Sequence, residues 1–143
     1  MSDDASVHFN ALDGAPGVEA RRWMGKFDEN VDDETWLKHV LKELKKAKQD
    51  KTGYYKVCWS IISKNNPNKF YLHEFKIPFE ITLNPIRPFA KGFPMSALQI
   101  DPKTKKPYME KTISQRCEDI RKEFYKFIRH IIKEEKQCCL IKQ

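Results

Sequence analysis

A chain of 143 residues suits one domain that buries about two-thirds of its unfolded surface, and a content of 40% hydrophobic and 12% aromatic residues excludes a disordered tail. No apolar stretch reaches bilayer-spanning length, and the acidic start lacks the basic-then-apolar order of a signal peptide, so a soluble, cytoplasmic chain without a membrane partner is expected. The formal charge of +7 favours anionic partners, nucleotide phosphates and nucleic acid alike, while Cys58, Cys117, Cys138 and Cys139 lack zinc-type spacing and fit a reducing compartment.

The chain opens on a carboxylate pair, Asp3-Asp4, directly before an alternating run in which Val7, Phe9 and Ala11 are separated by His8 and Asn10. That period predicts a strand with one buried face. Gly14-Ala15-Pro16-Gly17 then reverses the chain toward Arg22-Trp23. Adjacent acids at a strand mouth can hold a divalent cation or accept a proton from water; the plain alternative is solvated charge near a terminus.

Asp28, Glu29, Asp32 and Asp33 precede Trp36, Leu37, Val40, Leu41 and Leu44 at helical spacing, which predicts an amphipathic helix over 33–48 with lysines on its solvated side. After a turn at 49–53, Tyr54–Ser63 reads as a strand with Tyr55, Val57, Trp59 and Ile61 on one side. Asn65-Asn66-Pro67-Asn68 signals a hairpin into an extended Lys69–Lys76, and Phe79–Leu83 reads as a third strand after Pro78. A proline-rich loop over 85–94 carries Phe93, equally suited to stacking on a base or filling the core.

The segment 101–107, with Lys103, Lys105 and Lys106, reads as an exposed basic loop. Ser114 suits an N-cap, and Ile113, Cys117, Ile120, Phe124, Phe127 and Ile131 draw one apolar stripe, predicting a long helix over 114–135. Residues 137–143 read as a frayed tail without a prenylation box.

Three stretches carry a family resemblance. Asp3 through Trp23 resembles the signature segment of the inosine triphosphate pyrophosphatase family, the non-canonical purine nucleoside triphosphate pyrophosphatases. Asp3-Asp4, Asn10-Ala11-Leu12, Gly14, Pro16-Gly17 and Arg22-Trp23 fit without a gap, and Ala5, Val7 and Ala20 depart. Gly92-Phe93 is similar to the start of the family's Gly-Phe-Gly-(Trp/Tyr)-Asp-Pro, after which Pro94, Met95, Ser96 and Ala97 differ. Glu110-Lys111-Thr112-Ile113-Ser114-Gln115-Arg116 resembles Glu-Lys-Asn-x-Ile-Ser-His-Arg with one residue deleted and Gln115 in the histidine's place.

The resemblance implies an α/β fold: a mixed twisted sheet with a β-hairpin extension and flanking helices, including a long C-terminal helix. Residues 1–143 form a single domain in this reading, matching about the C-terminal two-thirds of a complete member. The family's upstream Thr-x-Asn-x-x-Lys turn and metal-binding glutamate have no counterpart, leaving three readings: a fragment, a subunit completed by another polypeptide, or a shortened descendant.

The implied activity is Mg²⁺-assisted hydrolysis of ITP- and XTP-type nucleotides to monophosphate and pyrophosphate. Asp4 would be the general base, Asp3 and Asp4 the metal ligands, Lys111 and Arg116 the nucleotide contacts, and Phe93 and Gln115 the residues facing the base. The alternative is a non-catalytic nucleotide-binding or regulatory subunit that dimerises, since relatives pair as homodimers. Nucleic-acid binding, resting on net charge alone, is the weakest reading.

Overall fold

Strand alternation over residues 52–81 builds the hairpin around which the molecule forms. The computed structural model describes residues 1–47, 50–64 and 66–141. Strands β1 (Ser2–Phe9), β2 (Pro16–Gly17), β3 (Thr52–Ser63), β4 (Asn66–Ile81) and β5 (Gln99–Ile100) form one sheet in the order β2-β1-β3-β4-β5. The expected α/β layout with its hairpin is present, and all of its strand pairings are antiparallel rather than mixed.

The register decides what each face carries. Asp3 opposes Trp59, Ala5 opposes Val57 and Val7 opposes Tyr55 on β3, whose partners on β4 are His73, Phe75 and Ile77. Direct antiparallel partners share a face, so these residues all lie on one side of the sheet.

Two apolar clusters cover that side. Helix α1 (Asp33–Ala47) buries Trp36, Leu37, Val40 and Leu44 against Val7, Phe9, Phe79 and Ile81. At the other end, helix α3 (Glu118–Ile141) sets Phe127 and Ile131 against Trp59 and Tyr71.

The start of α1 is built from its acids, as the sequence predicts. Asp32 accepts the Thr35 amide at 2.8 Å, satisfying one of the unpaired donors of the first turn. Asp33 accepts from Arg21 Nη1 at 2.8 Å and from the Gly92 amide at 2.7 Å, while Glu34 takes both Arg87 terminal nitrogens at 2.5 and 2.7 Å. These contacts fasten the 87–92 loop to the helix end.

Several boundaries differ from the sequence reading. The strand at Val7 begins at Ser2 and ends at Phe9, because Asn10–Leu12 winds into a 3-10 turn and takes Ala11 out of the alternation. The separate strand predicted over Phe79–Leu83 is the end of β4, which runs through Pro78 unbroken. The Ile81 amide donates to Lys51 O at 2.7 Å on the β3 side, so by parity the Pro78 nitrogen faces the outer edge, where no ladder partner is lost.

The last helix is also interrupted. A short α2 (Ile113–Arg116) precedes α3, and its N-cap is Thr112 rather than Ser114, in a reciprocal capping box with Gln115. Ile113 is 77% exposed and Ile120 39%, so the apolar stripe docks only from Phe124 onward. Helix α3 continues to Ile141 through most of the stretch read as frayed. The parts of the helix, turn, reversal and tail predictions that fall on residues 48, 49, 65, 142 and 143 lie outside the described residues.

Candidate functional site

The inward face of β3 and β4 is left open between the two apolar clusters, and a cleft of about 280 Å³ occupies that gap. Ala5, Tyr55, Val57, Ile77 and Phe79 line its floor. Phe93 and Tyr108, brought in by the loops before β5 and before α2, form an aromatic wall, and Tyr108 meets Phe93 edge-on at 5.5 Å between centroids. Asp101, Lys103, Lys111, Arg116 and Asp119 supply charge around it.

Of the residues singled out from sequence, Phe93, Lys111 and Arg116 meet at this cleft. Both cations are already engaged. Lys111 pairs with Asp101, and the two side chains are only 17% and 11% exposed. Burial alone would push the Asp101 carboxyl up, but the Lys111 hydrogen bond and the Thr104 and Lys103 amides outweigh it and hold the carboxyl at about 2.

Arg116 donates to the Tyr108 and Met109 carbonyls at 3.2 and 3.1 Å and lies over the Tyr108 ring at 4.6 Å. It therefore ties the aromatic wall to the start of the last helices. Lys103 and Lys105 of the loop read as basic pair with Asp119 at 3.0 Å and Glu80 at 2.5 Å, so much of its charge is compensated.

Gln115 does not line the main cleft. Its Oε1 accepts the Thr112 amide at 2.8 Å in the capping box, and its side chain borders a smaller adjoining groove that it shares with Asp101, Lys103 and Lys111. Ser96, standing where the resembled segment has an acid, is fully buried and clamps the loop by accepting the Ala90 amide and donating to Phe93 O.

The opening acids sit beside the cleft on exposed backbone. Strand alternation puts Asp3 on the cleft side with Ala5 and Val7, and Asp4 on the opposite side, where it opposes Cys58. Asp4 Oδ1 accepts the Ala5 amide at 2.9 Å. Among the described residues no group of three His, Cys, Asp or Glu side chains could hold a metal ion. Two carboxylates on opposite faces of one strand do not by themselves make the multidentate oxygen site that Mg²⁺ requires.

Three cleft residues escaped sequence reasoning: Tyr55, Tyr108 and Gln99. Burial, with Tyr108 close by, pushes the Tyr55 hydroxyl well above the usual phenol range, so it stays protonated. Its oxygen accepts from Gln99 Nε2 at 2.8 Å. Gln99 is 4% exposed, and its Oε1 has no hydrogen-bond partner. The available signal was a polar residue inside the apolar run Ala97-Leu98-Gln99-Ile100.

This arrangement, an acid-headed antiparallel sheet with an aromatic and basic cleft between its two helical covers, defines a protein of the inosine triphosphate pyrophosphatase class. Solved structures share the fold: a Ham1 protein from Staphylococcus aureus superposes with a TM-score of 0.72 at 19% identity over 93% of this chain. A HAM1 protein from Coxiella burnetii gives 0.65 at 21% identity over 81%. A nucleoside-triphosphatase, also described as a dITP/XTP pyrophosphatase, from Mycobacterium abscessus gives 0.64 at 16% over 86%.

The chain belongs to the Ham1 family, whose profile matches residues 1–116. It spans 66%, 57% and 62% of the three solved structures, in the order given. No curated protein matches it by sequence. No described helix is long and apolar enough to cross a membrane.

Proposed function

We propose that the cleft takes the base of a purine nucleoside triphosphate and that the chain serves the hydrolysis of ITP- and XTP-type nucleotides to monophosphate and pyrophosphate. One observation carries this reading: Phe93, Tyr55 and Tyr108 converge with Lys111 and Arg116 on a single cleft in a Ham1 chain. Aromatic faces suit a purine, and cations at the rim suit a polyphosphate. The printed description of the Mycobacterium abscessus protein supports the same substrate class.

Asp4 is assigned the proton-accepting role toward the attacking water, and Asp3 is its neighbour on the cleft face. As metal ligands the two acids are an incomplete set, and no step is routed through Mg²⁺. The test incubates the protein with inosine, xanthosine, adenosine and guanosine triphosphates in the presence of Mg²⁺. Pyrophosphate release from the first two is expected, together with its loss in Asp4→Asn. Loss in Asp3→Asn alone would move the role to the cleft-side acid. Release that survives both substitutions would reject it for either.

A second reading, a nucleotide-binding subunit without turnover that pairs with another chain, is favoured by a specific observation. Lys111 and Arg116 are spent on Asp101 and on backbone carbonyls rather than held free for phosphate. Calorimetric binding of inosine triphosphate without pyrophosphate release would select this reading, and the mass of the species in solution tests the pairing.

A further inference from the structure

Gln99 carries a polar group that nothing in the fold uses. It sits on the two-residue β5, opposite Ile81, in an otherwise apolar stretch. Its Nε2 donates to Tyr55 Oη at 2.8 Å, which fixes the amide plane against β3. The other end of the amide, Oε1, is buried, lines the cleft and accepts nothing. Buried carbonyl oxygens in folded proteins nearly always accept a hydrogen bond, and a bare one is destabilising.

Tyr55 is in the complementary condition. Its oxygen is occupied by the Gln99 amide, and its hydroxyl hydrogen has no acceptor among the described residues. The two side chains thus present one free acceptor and one free donor to the same cleft, beside the Phe93 and Tyr108 rings.

We propose that Gln99 and Tyr55 form the base-reading pair of this cleft: Gln99 Oε1 accepts a ring N–H and the Tyr55 hydroxyl donates to the adjacent carbonyl, selecting a lactam-edged base such as a 6-oxopurine. The inference rests on the reading that the cleft takes a purine, and it names the residues that choose which one. It replaces Gln115, whose amide is committed to the capping box, as the polar residue facing the base. A hydrogen-bonding site of this kind discriminates against ligands that lack the matching groups, because its own buried atoms are then left bare.

The experiment is a cycle of two ligands and two proteins, read by calorimetric binding and so independent of turnover. Inosine triphosphate carries the lactam edge, and purine riboside triphosphate lacks both its N–H and its carbonyl. Wild-type protein is expected to prefer the inosine nucleotide by at least about tenfold, and Gln99→Met to erase most of that preference. Tyr55→Phe, which keeps the ring and removes only the donor, is expected to reduce the same ratio.

Gln99→Met is also expected to unfold at a temperature no lower than wild type, since it removes a bare buried carbonyl; a large loss would mark the residue as structural and overturn the proposal. An unchanged ligand ratio in both variants, with both nucleotides still bound, overturns the base-reading pair while leaving the nucleotide cleft standing. Failure of wild-type protein to bind either nucleotide overturns both.

Discussion

Asp101 and Lys111 illustrate how much a single pair determines here. Both are nearly enclosed, so neither charge is well hydrated without the other. Asp101→Asn is expected to destabilise the protein by on the order of 3 kcal/mol in urea unfolding, because Lys111 is left charged and unpaired. The sign of the pH dependence follows from the carboxyl being held below its ordinary 3.8, at about 2. The native state releases this proton more readily than the unfolded chain does, so the contribution is complete above the ordinary value and is lost as pH falls through about 2. Acid unfolding curves of wild type and Asp101→Asn should differ in that window. Lys111 was legible as a site residue from the motif around it, but its partner was not. Asp101 lies ten positions earlier in a loop that charge counting calls basic, and counting along a chain does not reveal which charges meet. Tyr55 was hidden differently, since an inward aromatic on a strand looks identical whether it fills a core or lines a cleft.

Among the elements, periodic patterns transferred well and interruptions did not. Helix α1 begins where the acids and the apolar spacing place it, at Asp33. The hairpin strands carry the expected residues on the expected faces. The break between α2 and α3 was not legible, because Ile113 and Ile120 continue the apolar spacing although the chain leaves them exposed. Gly53 shows a constraint of another kind on β3. A methyl group there would stand 2.5 Å from His8 O and 2.7 Å from the Phe79 ring, so the glycine is needed for close approach rather than for turning. Gly53→Ala is expected to cost roughly 1–3 kcal/mol by overpacking, measured by denaturant titration, and to disturb Phe79 at the cleft floor. A neutral result would mean that β1 and β3 can separate without penalty.

For the molecule as a whole, one sheet supports two apolar clusters, and the cleft lies between them. Phe127 is 1% exposed beneath α3, far along the sheet from Phe9. Phe127→Ala is expected to remove about 3–5 kcal/mol while unfolding stays a single transition, since β3 and β4 run through both clusters. Separate melting of α3 would show instead that the second cluster is an independent appendage. The three ties between the 87–92 loop, Arg21 and the acids of α1 have a different reach. Arg87 and Glu34 are about half exposed, so dissolved ions can screen the pair, and Phe93 follows directly on the segment it restrains. An uncharged ring thereby inherits an ionic-strength dependence: as electrolyte loosens those ties, a stacked base loses one of its walls, and affinity falls faster than the phosphates alone would require.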